Sequence, residues 1–376
     1  MIYFDNSATT AVCREAADKA YYMMTECWGN PSSLHKVGFE AEKELNRARD
    51  IIADKLGCDS SEVYFTSGGT EADNLAIFGG ADARKRRGNR VVTTAIEHSA
   101  VLAACRQLEK MGYKVIYLKP DDSGQIPDAD IYNAITKDTI LVSMMSVNNE
   151  TGLMLPLQTV SNAIKRSGAP ALFHVDNVQG FGKTKINIKK LGIDLMSISA
   201  HKIHGPKGVG ALFMAKKARI NPRTFGGLQE KQIRPGTEPI PAVCAFGEAV
   251  RVLPDEREEL ETITAIRDKL RTALCEMPDI VMNSREDAFP YILNFSCGKV
   301  RSETMLHFLS ERGISVSSGS ACSKSKPSHV LEAMGFNHDR IDSSIRVSFS
   351  RYNTLEEVDE FVKVLREGLD NLQQRK

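Results

Sequence analysis

A thiol, an amine, an imidazole, a carboxylate and a guanidinium stand in this chain in settings that suit chemistry better than packing. Cys322 lies in Ser317-Ser318-Gly319-Ser320-Ala321-Cys322-Ser323-Lys324-Ser325-Lys326-Pro327-Ser328, whose members are small, polar or cationic. No apolar periodicity draws the thiol into a core, so the window reads as an exposed loop. Two nearby lysines favour the thiolate, the nucleophilic form of cysteine. An incidental surface thiol is the competing reading, and the window alone does not separate the two.

The other reactive groups follow short apolar or β-branched runs. Val63 to Thr66 is followed by Ser67-Gly68-Gly69-Thr70-Glu71, small residues opening a helix, which suits capture of a phosphate by backbone N–H groups. Glu97-His98 follows Val91 to Thr94, and Asn148-Asn149-Glu150 follows Ile140 to Val147. Leu172 to Val175 leads into Asp176-Asn177-Val178-Gln179, and Leu195 to Ser199 into Ala200-His201-Lys202-Ile203-His204-Gly205-Pro206-Lys207-Gly208. Any one of these could be a turn or a cap. Ligands of open α/β sheets sit beyond the carboxyl ends of the strands, so five such ends in succession argue for one site.

The elements that must position them alternate strand-like and helical patterns from about residue 36 to 215, the sign of a doubly wound sheet. Ala41, Leu45, Ala48, Ile52 and Leu56 mark a helix that stops at Gly57. Val115 to Leu118 adds another strand, and Val209 to Met214 is expected at the sheet edge. A long helical region after Pro239, running to about Glu276, leads into a smaller α/β unit. That unit holds strand-like Tyr291 to Phe295 and Ile345 to Phe349, helices from Ser302 to Arg312 and from Leu355 to Leu372, and the Cys322 loop. The expected division is 15–250 for a large domain, with 1–14 and 251–376 forming a small one.

The chain has 376 residues and a formal net charge of +1, which argues against a general polyanion binder. No apolar stretch reaches membrane-spanning length, and Met1 to Asp5 lacks a signal-peptide pattern, so a cytoplasmic protein with no membrane contact is expected. Eight scattered cysteines form no CxxC pair, so no metal site is expected. The cluster Arg84-Lys85-Arg86-Arg87 reads as a cationic helix end, and no direct nucleic-acid binding is expected. A phosphate cradle, an aspartate, an imidazole and a lysine at strand ends fit pyridoxal phosphate, which needs a Schiff-base lysine, an acid for its ring nitrogen and a phosphate anchor. Neither GxGxxG nor GxxxxGK[ST] is present, which removes the main support for a nucleotide.

With these segments stand Asp5-Asn6-Ser7-Ala8-Thr9-Thr10, Gly29-Asn30-Pro31-Ser32-Ser33, Arg234-Pro235-Gly236-Thr237-Glu238 and Ser344-Ile345-Arg346-Val347-Ser348. From Asp5 to about Arg351 the chain resembles the NifS/IscS-type cysteine desulfurases, class V aminotransferases of pyridoxal-phosphate fold type I. The resemblance implies a large, mainly parallel, seven-stranded sheet domain and a smaller C-terminal α/β domain. It implies that Lys202 carries the cofactor and moves protons, that Asp176 pairs with the pyridine nitrogen and that Gln179 meets the ring hydroxyl. Gly69, Thr70, Ser199 and His201 would hold the phosphate, joined by Thr237 from the partner subunit of a homodimer. His98 would stack on the ring and assist proton transfer, Asn149 would steer ring or substrate, and Arg346, with Asn30 beside it, would bind the carboxylate of L-cysteine. Cys322 would receive the sulfur as a persulfide, leaving L-alanine, and pass it to an acceptor protein, an iron–sulfur scaffold or a tRNA-thiolating enzyme. The short span from Cys322 to Val330 and the end at Gln373-Gln374-Arg375-Lys376 leave the acceptor open. A selenocysteine lyase, a class V aminotransferase and a catalytically silent sulfur-relay protein are the alternatives. Substrate preference, a keto-acid requirement and a colourless chain would respectively mark them.

Overall fold

β-Branched and apolar runs form the strands of a computed structural model that describes residues 1–121, 123–318 and 327–372. In chain order these strands are β1 (Ile2–Tyr3), β2 (Val63–Thr66), β3 (Arg90–Thr94), β4 (Lys114–Leu118), β5 (Thr139–Ser143) and β6 (Leu172–Asp176). There follow β7 (Leu195–Ser199), β8 (Gly210–Met214), β9 (Val281–Met282), β10 (Ile292–Ser296), β11 (Ile314–Ser315) and β12 (Ser344–Ser348). Seven of them make one sheet in the order β2-β8-β7-β6-β5-β3-β4. Pairings among β3 to β7 are parallel, whereas β8 runs antiparallel to both its neighbours.

β8 was expected at an edge, and it lies inside, between β2 and β7. All five of its residues are buried, as an apolar Gly-Ala-Leu-Phe-Met run covered on both faces must be. Gly210 is required there: a Cβ would stand 2.5 Å from Ile198 O and 2.8 Å from Gly68 Cα. The regular ladder of β5 ends at Ser143, short of Val147, although Met144 N and Ser146 N still donate to the His174 and Asp176 carbonyls.

Amphipathic helices cover the sheet. Lys36–Leu56 buries Ala41, Leu45, Ala48 and Ile52 and ends at Gly57 with φ +70°, a left-handed cap that glycine adopts without strain. The helical region after Pro239 is two helices, Ile240–Arg251 and Glu256–Cys275. Pro254 cannot continue the first, and Asp255 caps the second by accepting from Arg257 N at 2.9 Å and Glu258 N at 3.3 Å.

β10 lies between β12 and β9 in a small antiparallel sheet, with Asn294 opposite Arg346. Its core includes Ile263, Leu270, Phe295, Val347 and Phe361 together with Phe4 from the N-terminus. Phe4 meets Phe349 and Phe361 edge to face at 5.4 and 5.8 Å, and β1 pairs with β11 in parallel. The first residues are thereby fixed to the small sheet. Ser7 N donates to Ser348 Oγ at 2.8 Å and Thr10 Oγ1 to His201 O at 3.0 Å, so residues 5–10 bridge that sheet to the end of β7.

Candidate active site

The strand order reverses between β3 and β5, and ligands of open α/β sheets bind at such a switch, beyond the carboxyl ends. A cavity of about 480 Å³ lies there. Gly69, Thr70, His98, Asn149, Asp176, Gln179, Ser199, His201, Lys202 and Arg346 all line it. Asn30 and Thr237 are exposed and are not among its lining residues, and Asn30 Oδ1 accepts from Ser32 N at 2.9 Å. Cys322 lies outside the described residues, while Pro327, Ser328 and His329 contribute to the wall.

At the floor, the helix Gly69–Asn74 opens directly after β2, and the N–H groups of a helix's first turn have no acceptor within the helix. A Cβ at Gly69 would stand 2.7 Å from Val178 Cγ2, so only glycine keeps this approach open. Ser199 Oγ is buried and makes no hydrogen bond. A phosphate supplies the acceptors that such donors lack.

Asp176 ends β6, with Oδ1 accepting from Val178 N at 3.0 Å. Burial raises its pKa, opposed by His98, the Val178 N–H and Lys202, so a cation against this carboxylate relieves a desolvated charge. Below it in the strand, His174 is held between Ser143 Oγ at 2.8 Å and Ser197 Oγ at 2.9 Å. Burial depresses its pKa to about 3 and keeps it neutral. His98 caps the helix Ser99–Lys110 by accepting from Ala100 N at 3.2 Å through Nδ1. Burial lowers its pKa, and Lys202 and His329 add to that against the pull of Asp176.

Lys202 Nζ donates to the carbonyls of Ser7 and of Ala8, the latter at 2.8 Å. Gln179 Nε2 donates to the same Ser7 carbonyl at 3.1 Å. Main-chain carbonyls have no signature in side-chain types, which is why the sequence gives Ser7 and Ala8 no role of their own. Opposite, Arg346 is buried in β12, donating from Nη1 to Asn149 O at 2.9 Å and from Nη2 to Asp5 Oδ1 at 2.8 Å. Its Nε is buried without a partner. A guanidinium held on one side with a donor to spare can receive a carboxylate.

This fold and site define an enzyme centre at the carboxyl ends of the large sheet's strands. The chain belongs to the aminotransferase class-V family, whose sequence pattern matches residues 2–361, and its fold is pyridoxal-phosphate fold type I. It is 41% identical over 375 residues to cysteine desulfurase IscS of Methanosarcina thermophila, covering 99% of this chain and 92% of that one. Among solved structures it resembles a NifS-like protein with TM-score 0.93 and 36% identity, over 99% of this chain and 100% of the other. It also resembles SspA in complex with cysteine, with TM-score 0.83 and 33% identity, over 94% and 100%.

Proposed function

We propose that the chain is a pyridoxal-phosphate-dependent cysteine desulfurase, converting L-cysteine to L-alanine and transferring the sulfur through Cys322 to an acceptor protein. The observation that carries the reading is the convergence of Lys202, buried Asp176 and the unpartnered Ser199 hydroxyl in one cavity roofed by Arg346. Bound pyridoxal phosphate would supply an electron sink that weakens the Cβ–S bond of the substrate. Gly69, Thr70, Ser199 and His201 would hold its phosphate, with Thr237 joining from a partner subunit.

Asp176 would keep a proton on the pyridine nitrogen and Gln179 would meet the ring hydroxyl. Lys202 would hold the cofactor covalently and carry protons from where it donates to the Ser7 and Ala8 carbonyls. His98, whose pKa burial lowers, would stack on the ring and assist proton transfer. Arg346 would take the substrate carboxylate and Asn149 would steer the substrate, with Asn30 nearer the entrance. The Cys322 thiolate then attacks the substrate sulfur: an S–S bond forms, the Cβ–S bond breaks with its electron pair left on carbon, and a proton completes the methyl of alanine.

We further assign an iron–sulfur scaffold or a tRNA-thiolating enzyme as the acceptor, and a homodimer as the working form. Exposed Trp28, Leu34, Phe39, Phe225 and Leu228 supply apolar surface for the second copy. The division into 15–250 and 1–14 with 251–376 is supported by Phe4 packing with the small sheet's core. A cytoplasmic setting suits the seven free thiols among the described cysteines. In the decisive experiment, Cys322→Ala retains the cofactor's absorption and still binds L-cysteine, and sulfide release with a thiol reductant falls at least tenfold. Undiminished release would remove Cys322 from the reaction.

A further inference from the structure

The geometry points to Glu150 as a positioning residue for sulfur transfer to Cys322 that, through Ser328, fixes the start of the helix His329–Ala333 against the cavity wall carrying His98 and Arg346. The inference rests on the proposed role of Cys322. Glu150 sits in a turn closed by Asn148 Oδ1, which accepts from Glu150 N at 3.0 Å and from Thr151 N at 2.9 Å. Asn148 Nδ2 also donates to Ile96 O at 2.8 Å, and Gly152 completes the turn with φ +73°. The turn is therefore fixed to the loop before His98 on one side. On the other, the Asn149 carbonyl accepts from Arg346, and the Glu150 carbonyl from Asn294 Nδ2 at 3.1 Å.

The Glu150 side chain completes this junction. Its carboxyl group is buried and accepts the Ser328 hydroxyl. Ser328 Oγ in turn accepts from Leu331 N at 3.1 Å, capping the helix His329–Ala333. His329 Nε2–H donates to Glu97 O at 3.0 Å. Residues 328 and 329 are thus held at two points, one on the Arg346 side and one beside His98. Ser328 stands six residues after Cys322 in the sequence. A serine cap needs no acid behind it, and burying a carboxyl group costs stability, with desolvation raising this one to about 7. That cost is met where the thiol's tether joins the site wall, which is where precise placement speeds a transfer between two sulfurs.

The test uses the pyridoxal-phosphate holoenzyme in single turnover with L-cysteine. One readout is the rate of the cofactor's absorbance change on mixing; the other is the rate at which Cys322 gains 32 Da of sulfur, by quenched-flow mass spectrometry. Ser328→Ala and Glu150→Ala are expected to keep the first rate within about threefold and to slow the second at least tenfold. The double variant should be no slower than the worse single one, and Ser328→Thr should restore both rates. Ser328→Ala carries the test alone should Glu150→Ala not fold. Sulfur reaching Cys322 at the wild-type rate in Ser328→Ala, or both rates falling together, overturns the proposal and leaves the desulfurase reading intact. Alanine formed by the wild-type protein with Cys322 unmodified overturns the reading of Cys322 and the proposal with it.

Discussion

Individual residues here act by being deprived of water. Glu97 is fully buried beside His98, accepting from Thr94 Oγ1 at 2.7 Å and from Met145 N at 2.9 Å, and desolvation lifts its pKa to about 8. In the unfolded chain the same carboxyl titrates near 4.5. Between those values the folded protein keeps a proton that the unfolded chain has lost, so rising pH removes stability, at up to ~1.4 kcal/mol per pH unit. Glu97→Gln lacks that titration. Its melting temperature relative to wild type is expected to climb from pH 5 to pH 9, and a constant difference across that range would refute the assignment. Side-chain chemistry of this kind was partly legible in the sequence. His98, Asp176 and Lys202 stand out because reactive groups follow one strand after another at the same ends of the sheet, whereas the carbonyls of Ser7 and Ala8 that receive Lys202 are common to every residue type.

At the scale of elements, the strand ends were readable because apolar runs fix where a strand begins and polar residues fix where it stops. Neighbour relations were not. β8 is interior because its pairing with β2 and β7 is set by how the chain returns after Lys202, and a five-residue apolar run reads alike at an edge or in the middle. The close approach of Gly210 to Ile198 and Gly68 makes this arrangement testable. Gly210→Ala must push these strands apart and with them the turn before Gly69. It is expected to lower stability by about 1–3 kcal/mol, the usual cost of overpacking, and to weaken cofactor retention on dialysis. Unchanged melting and retention would show that the β2–β8 contact does not support the cradle. The break at Pro254 was visible as a proline but masked by the long helical pattern on both sides of it.

The whole molecule brings a small sheet and a large one to a single cavity, and the N-terminal residues 5–10 bridge them. The exposed apolar residues Trp28, Phe225 and Leu228 lead us to expect a dimer in sedimentation equilibrium, shifted towards monomer by Phe225→Asp with Leu228→Asp. Activity per chain should fall at least tenfold in that variant if Thr237 serves the partner's phosphate; a fully active monomer would refute the shared site. The sequence by itself determined which chemical groups are present, which runs form strands and helices, and which family the chain resembles, because these depend on residue type and spacing along the chain. Only the tertiary structure decided that Asp5 and the Asn149 carbonyl hold Arg346, that Ser7 and Ala8 receive Lys202, and that Glu150 meets Ser328. Those pairs lie between 178 and 341 positions apart, and three of them act through the main chain. Their energies exist only once burial has removed water and folding has closed the long loops between them.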